Sequence, residues 1–69
     1  MASAWVDQIF TSSRQARSGG VVRRSVADVA RFDALEEIIS AAQARGFHVI
    51  ETGGQILLLA HEGSVILHC

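Results

Sequence analysis

The side chains best suited to chemistry are three histidines and a single cysteine: His48, His61, His68 and Cys69. Imidazole and thiolate groups are common zinc ligands, but protein zinc sites are usually built from pairs about two to four residues apart. The only close pair here is the adjacent His68 and Cys69. We therefore predict no metal site and no cofactor, and we expect the histidines to line a half-buried interface, where partly polar rings are tolerated.

Cys69 is also the best candidate nucleophile, with His68 or His61 as a neighbouring base. Its own terminal carboxylate places a negative charge beside the sulfur, and such a charge disfavours the reactive thiolate. The adjacent Glu36 and Glu37 fall on the solvent side of a predicted helix. A chain of 69 residues has little room for a cleft of several hundred Å³. The sequence therefore predicts a protein that is not an enzyme.

A group of arginines between residues 11 and 24, with no acidic residue among them, is the second chemical feature. Its members are Arg14, Arg17, Arg23 and Arg24. Guanidinium groups suit phosphates, and the amides of Gly19 and Gly20 could add an anion-binding nest. No phosphate-loop or dinucleotide-binding glycine motif accompanies them. The simpler interpretation is a solvated loop whose arginines pair with acids such as Asp28 and Glu51, and nucleic-acid or phosphate binding remains the alternative.

Length and composition limit the fold and the location. The 69 residues are 49% hydrophobic and 19% charged, with a net charge of −1. One domain of this size has a thin core, and small domains of this kind commonly need a second copy of themselves. No run approaches the roughly 18 apolar residues of a membrane span. Because residues 1–10 lack a leader pattern and the only thiol is unpaired, we expect a cytoplasmic protein without membrane contact.

The helical spacing of apolar residues predicts one main helix at residues 34–45. Asp33 is the expected N-cap, and Gly46 is the residue that ends the helix in a left-handed conformation. A shorter helix is predicted at residues 3–15, followed by an Arg-, Gly- and Ser-rich loop up to residue 20. Residues 21–24 are a strand candidate, and Ser25 can cap a helical turn that reaches Arg31.

Three apolar runs after Gly46 have the composition of strands: residues 47–51, 55–61 and 64–68. Gly53 with Gly54, and Glu62 with Gly63, are the expected hairpin turns. The prediction is an α+β, two-layer βαβββ domain of residues 21–69, in which one helix lies on an antiparallel meander. Residues 1–20 supply an N-terminal helix and a loop.

The first turn pairs Thr52 with Gln55 and His48 with Leu59. The second turn pairs His61 with Ser64 and Leu57 with His68. This pairing sorts the strand residues onto two faces. The core face holds Phe47, Val49, Glu51, Ile56, Leu58, Ala60, Val65, Leu67 and Cys69. The second face holds His48, Ile50, Leu57, Leu59, His61, Ile66 and His68. One helix cannot cover both faces, so the second face is the predicted interface. It can be covered by an N-terminal stripe of Trp5, Ile9 and Phe10, by a second copy, or by a different protein.

Three stretches of the chain resemble a family of small alphaproteobacterial proteins: WVDQIFTSS at residues 5–13, VVRRS at 21–25 and RGFHVIETGGQ at 45–55. Some members are called phosphoribosylanthranilate isomerase, but that enzyme is a barrel of roughly 200 residues or more. The resemblance therefore implies no such activity. From the residues we expect a small regulatory or adaptor protein that self-associates through protein contacts.

Overall fold

The computed structural model describes residues 3–69 and shows an α+β fold, in which short helices accompany one three-stranded antiparallel sheet. The elements in chain order are α1 (Ser3–Thr11), α2 (Arg14–Arg17), β1 (Val21–Ser25), α3 (Val26–Arg31), α4 (Leu35–Arg45), β2 (His48–Thr52) and β3 (Gln55–Leu59). None of these helices is long and apolar enough to cross a bilayer.

The hairpin of β2 and β3 forms as the sequence predicts. Gly53 and Gly54 connect the strands with φ angles of 54° and 74°, the left-handed values that a tight two-residue turn requires. Thr52 lies opposite Gln55, and His48 lies opposite Leu59. This confirms the predicted register of the first hairpin.

The predicted strand at residues 64–68 is wrong, and so are its pairings with β3. The other side of β3 is taken by β1, whose Val21 lies opposite Leu59 and whose Ser25 lies opposite Gln55. The strand order is therefore β1-β3-β2, with β3 in the centre. A tight turn at residues 62–63 would need a left-handed Glu62, which is costly for a residue with a Cβ. β1 matches the whole length of β3 without that cost.

Two helix ends decide how the chain passes from β1 to β2. Ser25 caps α3, because its Oγ accepts a hydrogen bond of 3.0 Å from the backbone N of Asp28. Asp33 is not the N-cap of α4; that position is Ala34, which makes no side-chain cap. Instead, Asp33 has a φ of 50° and ends α3, with its N–H donating to the carbonyl of Ala30. Gly46, with a φ of 74°, ends α4 as predicted.

The helices and one side of the sheet share a single buried cluster. It consists of Val6, Ile9, Phe10, Ala16, Val22, Val29, Ala34, Ile38, Ala42, Ile56, Leu58 and Ala60. The predicted N-terminal helix is divided into α1 and α2, because the hydroxyl of Ser13 caps a new helical turn. Since α1 packs into this cluster, with Trp5 against it, the alternative in which Trp5, Ile9 and Phe10 cover the second face is wrong. Trp5 stacks on Phe32 at a centroid distance of 4.6 Å.

Candidate interaction surface

The side of the sheet that faces away from the buried cluster is the candidate site, and we call it the open face. It carries, strand by strand, Val21, Arg23 and Ser25 of β1, Gln55, Leu57 and Leu59 of β3, and His48, Ile50 and Thr52 of β2. The pairing arranges these residues in rows across the sheet. One row joins Val21, Leu59 and His48, and the next joins Arg23, Leu57 and Ile50. The centre of the open face is therefore apolar.

The two sides of the sheet differ sharply in exposure. On the inner side, Leu58 is 2% exposed and Ile56 is 4% exposed. On the open face, Leu57 and Leu59 are only half-buried, while Ile50 is 40% exposed. Val21 is 47% exposed. An apolar patch of this kind is typical of a surface that another molecule covers.

Some residues of the predicted interface lie on the open face, and the others lie outside the sheet. His48, Ile50, Leu57 and Leu59 lie there as predicted. Ile66 and His68 belong to no strand, and Ile66 is 73% exposed. Their place beside β3 is taken by β1, so Val21 is the apolar residue that the sequence prediction missed. The short apolar run at residues 21–22 was the signal that could have identified it.

His61 lies just beyond β3, where it helps to hold a turn. His48 Nε2 lies 2.7 Å from the carbonyl oxygen of Gly63, and the Gly63 N–H donates to His61 Nδ1 at 3.1 Å. The two rings are 5.8 Å apart, edge to face. These bonds require a protonated Nε2 on His48 and an unprotonated Nδ1 on His61. No group of three potential metal ligands forms within residues 3–69.

The last six residues, 64–69, form what we call the C-terminal arm. Val65 is 47% exposed, Ile66 is 73% exposed and Leu67 is 89% exposed, and Cys69 is exposed as well. The prediction that Val65, Leu67 and Cys69 lie in the core is therefore wrong. The arm has no strand partner within the described part of the chain, because β1 occupies the position that was expected for it.

A groove of about 500 Å³ lies between α4 and the free edge of β2, so the expectation that this chain has little room for a cleft of several hundred Å³ is wrong. Its apolar lining comes mainly from Leu35, Ile39, Phe47, Val49 and Ile50, and Val65 of the arm also lines it. The groove is continuous with the open face, since Ile50 belongs to both. No charged residue lines it except Glu51.

The arginine group is spread over two elements. Arg14 and Arg17 lie on α2, whereas Arg23 points to the open face and Arg24 donates from Nη1 to the Arg23 carbonyl at 2.7 Å. Arg23 and Arg24 line a shallow cleft of about 220 Å³ together with Ser25 and Gln55.

The predicted pairing of these arginines with Asp28 and Glu51 is wrong. In residues 3–69 the only side-chain ion pair joins Arg31 to Asp28. The four predicted anion-binding residues, Arg14, Arg17, Arg23 and Arg24, therefore make no ion pair in this part of the chain.

No protein-family model, no curated protein and no solved structure matches this chain. The resemblance to small alphaproteobacterial proteins therefore stays a prediction, and function has to be inferred from the surface.

Proposed function

We propose that this protein is a small, non-catalytic interaction protein that associates with itself through the open face. The observation that carries the proposal is the apolar centre formed by Val21, Ile50, Leu57 and Leu59 on the side of the sheet opposite the buried cluster. A solvated antiparallel sheet normally places polar residues at these positions. The apolar composition of the face suits packing against another protein.

The size of the patch predicts a weak dimer. Full burial of one large aliphatic side chain contributes about 1.5–3 kcal/mol. Since each of the four residues is already more than half covered by its neighbours, complete burial adds at most roughly 3–6 kcal/mol for each copy. Two copies together gain at most roughly 6–12 kcal/mol, which is close to the estimated cost of association of about 4–15 kcal/mol. We therefore expect association that depends on concentration.

Sedimentation velocity over a concentration series tests this proposal. We expect the mass of the full chain to rise from monomer to dimer with concentration. Val21→Glu should stay monomeric while its circular dichroism spectrum is unchanged, because Val21 is an exposed residue of an edge strand. Ser40→Glu adds the same charge to an exposed position of α4 and should behave like the unchanged chain. A chain that is monomeric at about 1 mM would contradict the proposal.

Binding of a phosphate-rich polymer is a second candidate function. It is favoured by the four arginines, which make no ion pair within residues 3–69, and by the cleft at Arg23 and Arg24. Retention on an anionic resin should then fall steeply with salt, because each neutralised phosphate releases a counterion. Arg23→Ala combined with Arg24→Ala should reduce retention. Arg31→Ala is the control for loss of a single arginine outside the cleft, since this arginine is already paired with Asp28. Absence of retention at low salt would exclude this candidate.

A further inference from the structure

We propose that the C-terminal arm of one copy lies in the groove between α4 and β2 of a second copy, and that two copies exchange their arms about a two-fold axis. This inference rests on the self-association proposed above. It adds a second contact to the same dimer and identifies both the segment that docks and the surface that receives it.

The arm has the properties of a strand that lacks a partner. Val65, Ile66 and Leu67 are of residue types that pack well in strands, yet Val65 is 47% exposed and the other two are largely exposed. No backbone hydrogen bond ties residues 64–69 to the rest of the described chain. The arm can therefore gain both apolar contact and main-chain hydrogen bonds by docking elsewhere.

The groove offers both kinds of contact. β2 is an edge strand, so one side of its backbone has no strand partner. In a hairpin with a two-residue loop, the residues next to the loop exchange hydrogen bonds and the pattern then alternates along the strand. Thr52 and Ile50 consequently bond to β3, while Val49 and Glu51 direct their N–H and C=O groups toward the free edge. Side chains such as Ile39 and Phe47 supply the apolar wall beside that edge.

Val65 of the chain's own arm lines the groove, but the arm leaves about 500 Å³ of the groove empty. Ala60 still donates to the Gly20 carbonyl beside β1 at 3.0 Å, so only residues 61–63 carry the chain across to β2. That connection is held by the hydrogen bonds of His48 and His61 to Gly63. To lie along β2, the chain's own arm would have to reverse the direction of β3, and it would then run parallel to β2.

An arm from a second copy lacks this constraint. It can enter the groove antiparallel to β2, in the slightly more stable of the two ladder arrangements. Each copy carries one arm and one groove, so a two-fold exchange satisfies both grooves and closes the assembly at a dimer.

Isotope-filtered nuclear Overhauser spectroscopy tests the arrangement directly. The sample is a dimer of full chains, one labelled and one unlabelled, under reducing conditions that keep Cys69 free. We expect contacts between the methyl groups of Leu67 and those of Ile39 across copies. Contacts between these methyl groups only within one copy, or no contacts at all, would overturn the proposal.

Substitutions in the arm provide a second readout. Leu67→Asp should raise the dimer dissociation constant at least about tenfold. The fold should not change, because Leu67 is 89% exposed in the single chain. His68→Asp places the same charge at the next position, which faces away from the groove when Leu67 faces into it, and should change the constant about threefold or less.

The two proposals fail in different ways. A chain that is monomeric at every concentration overturns both. A dimer that Val21→Glu dissociates and Leu67→Asp leaves intact supports the open face and overturns the exchange of arms. A dimer that Leu67→Asp dissociates and Val21→Glu leaves intact supports the exchange of arms and overturns the open face as the interface.

Discussion

The two sides of β3 carry the same kinds of residues and have opposite roles. Leu58 and Leu57 are consecutive leucines of one strand, but Leu58 is 2% exposed and Leu57 is only half-buried. The helices use the inner side to build the core and leave the other side open. The fold requires apolar residues only on the inner side of this strand. The apolar residues on the open face therefore indicate a contact with another molecule.

Lysine at these two positions should give the largest contrast. Leu58→Lys places an ammonium group in the buried cluster, and the cost of several kcal/mol is comparable to the whole stability of a small domain. Leu57→Lys should remain folded, because a half-buried lysine can extend its charge into water. Far-ultraviolet circular dichroism with thermal melting distinguishes the two variants. If both unfold, the two sides of the strand are not as different as we infer.

Two neighbouring valines of β1 give a smaller and more local contrast. Val22 is 4% exposed, so Val22→Thr buries a hydroxyl without a partner and should cost about 1–3 kcal/mol. Val21→Thr is the same substitution, between side chains of nearly equal shape, at a position that is 47% exposed. It should alter the free energy of unfolding by less than about 0.5 kcal/mol. Urea titrations measure both differences. Equal losses of stability would mean that Val21 is covered in solution.

Substitutions in the Gly53–Gly54 turn, which sets the register of β2 on β3, should cause the smallest loss of stability. An added Cβ at Gly54 meets no atom within 4 Å, so the cost of Gly54→Ala, about 1 kcal/mol, comes from its φ of 74°. Gly63 has no left-handed φ, and Gly63→Ala should cost less, with only His61 Nδ1 at 3.3 Å to adjust. The two melting temperatures provide the comparison. A larger loss for Gly63→Ala would indicate that residues 62–63 form a strained turn after all.

Local signals along the chain are sufficient to predict part of this structure. The Gly53–Gly54 turn fixes the pairing of β2 with β3, and Ser25 and Gly46 act at the helix ends where the sequence places them. These features depend on residues that are close together in the chain. The apolar residues that β2 and β3 place on the open face follow from the same local register.

The strand beside β3 could not be predicted in this way. Residues 21–25 and 64–68 are both short and apolar enough to compete for one edge, and the outcome depends on contacts between distant parts of the chain. The role of Asp33 was also ambiguous, because an Asp before a helix can cap it or end the preceding helix. Because residues 21–25 pair with β3, residues 64–69 have no strand partner. The exposed arm could therefore not be predicted from the sequence.

Ser25 is shared by two elements, since it is the last residue of β1 and its hydroxyl caps α3. The next amide, that of Val26, donates to the Gly54 carbonyl at 2.9 Å. An edge strand usually frays independently, but here any slippage of β1 removes the cap of α3 and a bond to the hairpin turn together. Native-state hydrogen exchange should therefore show the amides of β1 and α3 opening as one cooperative unit.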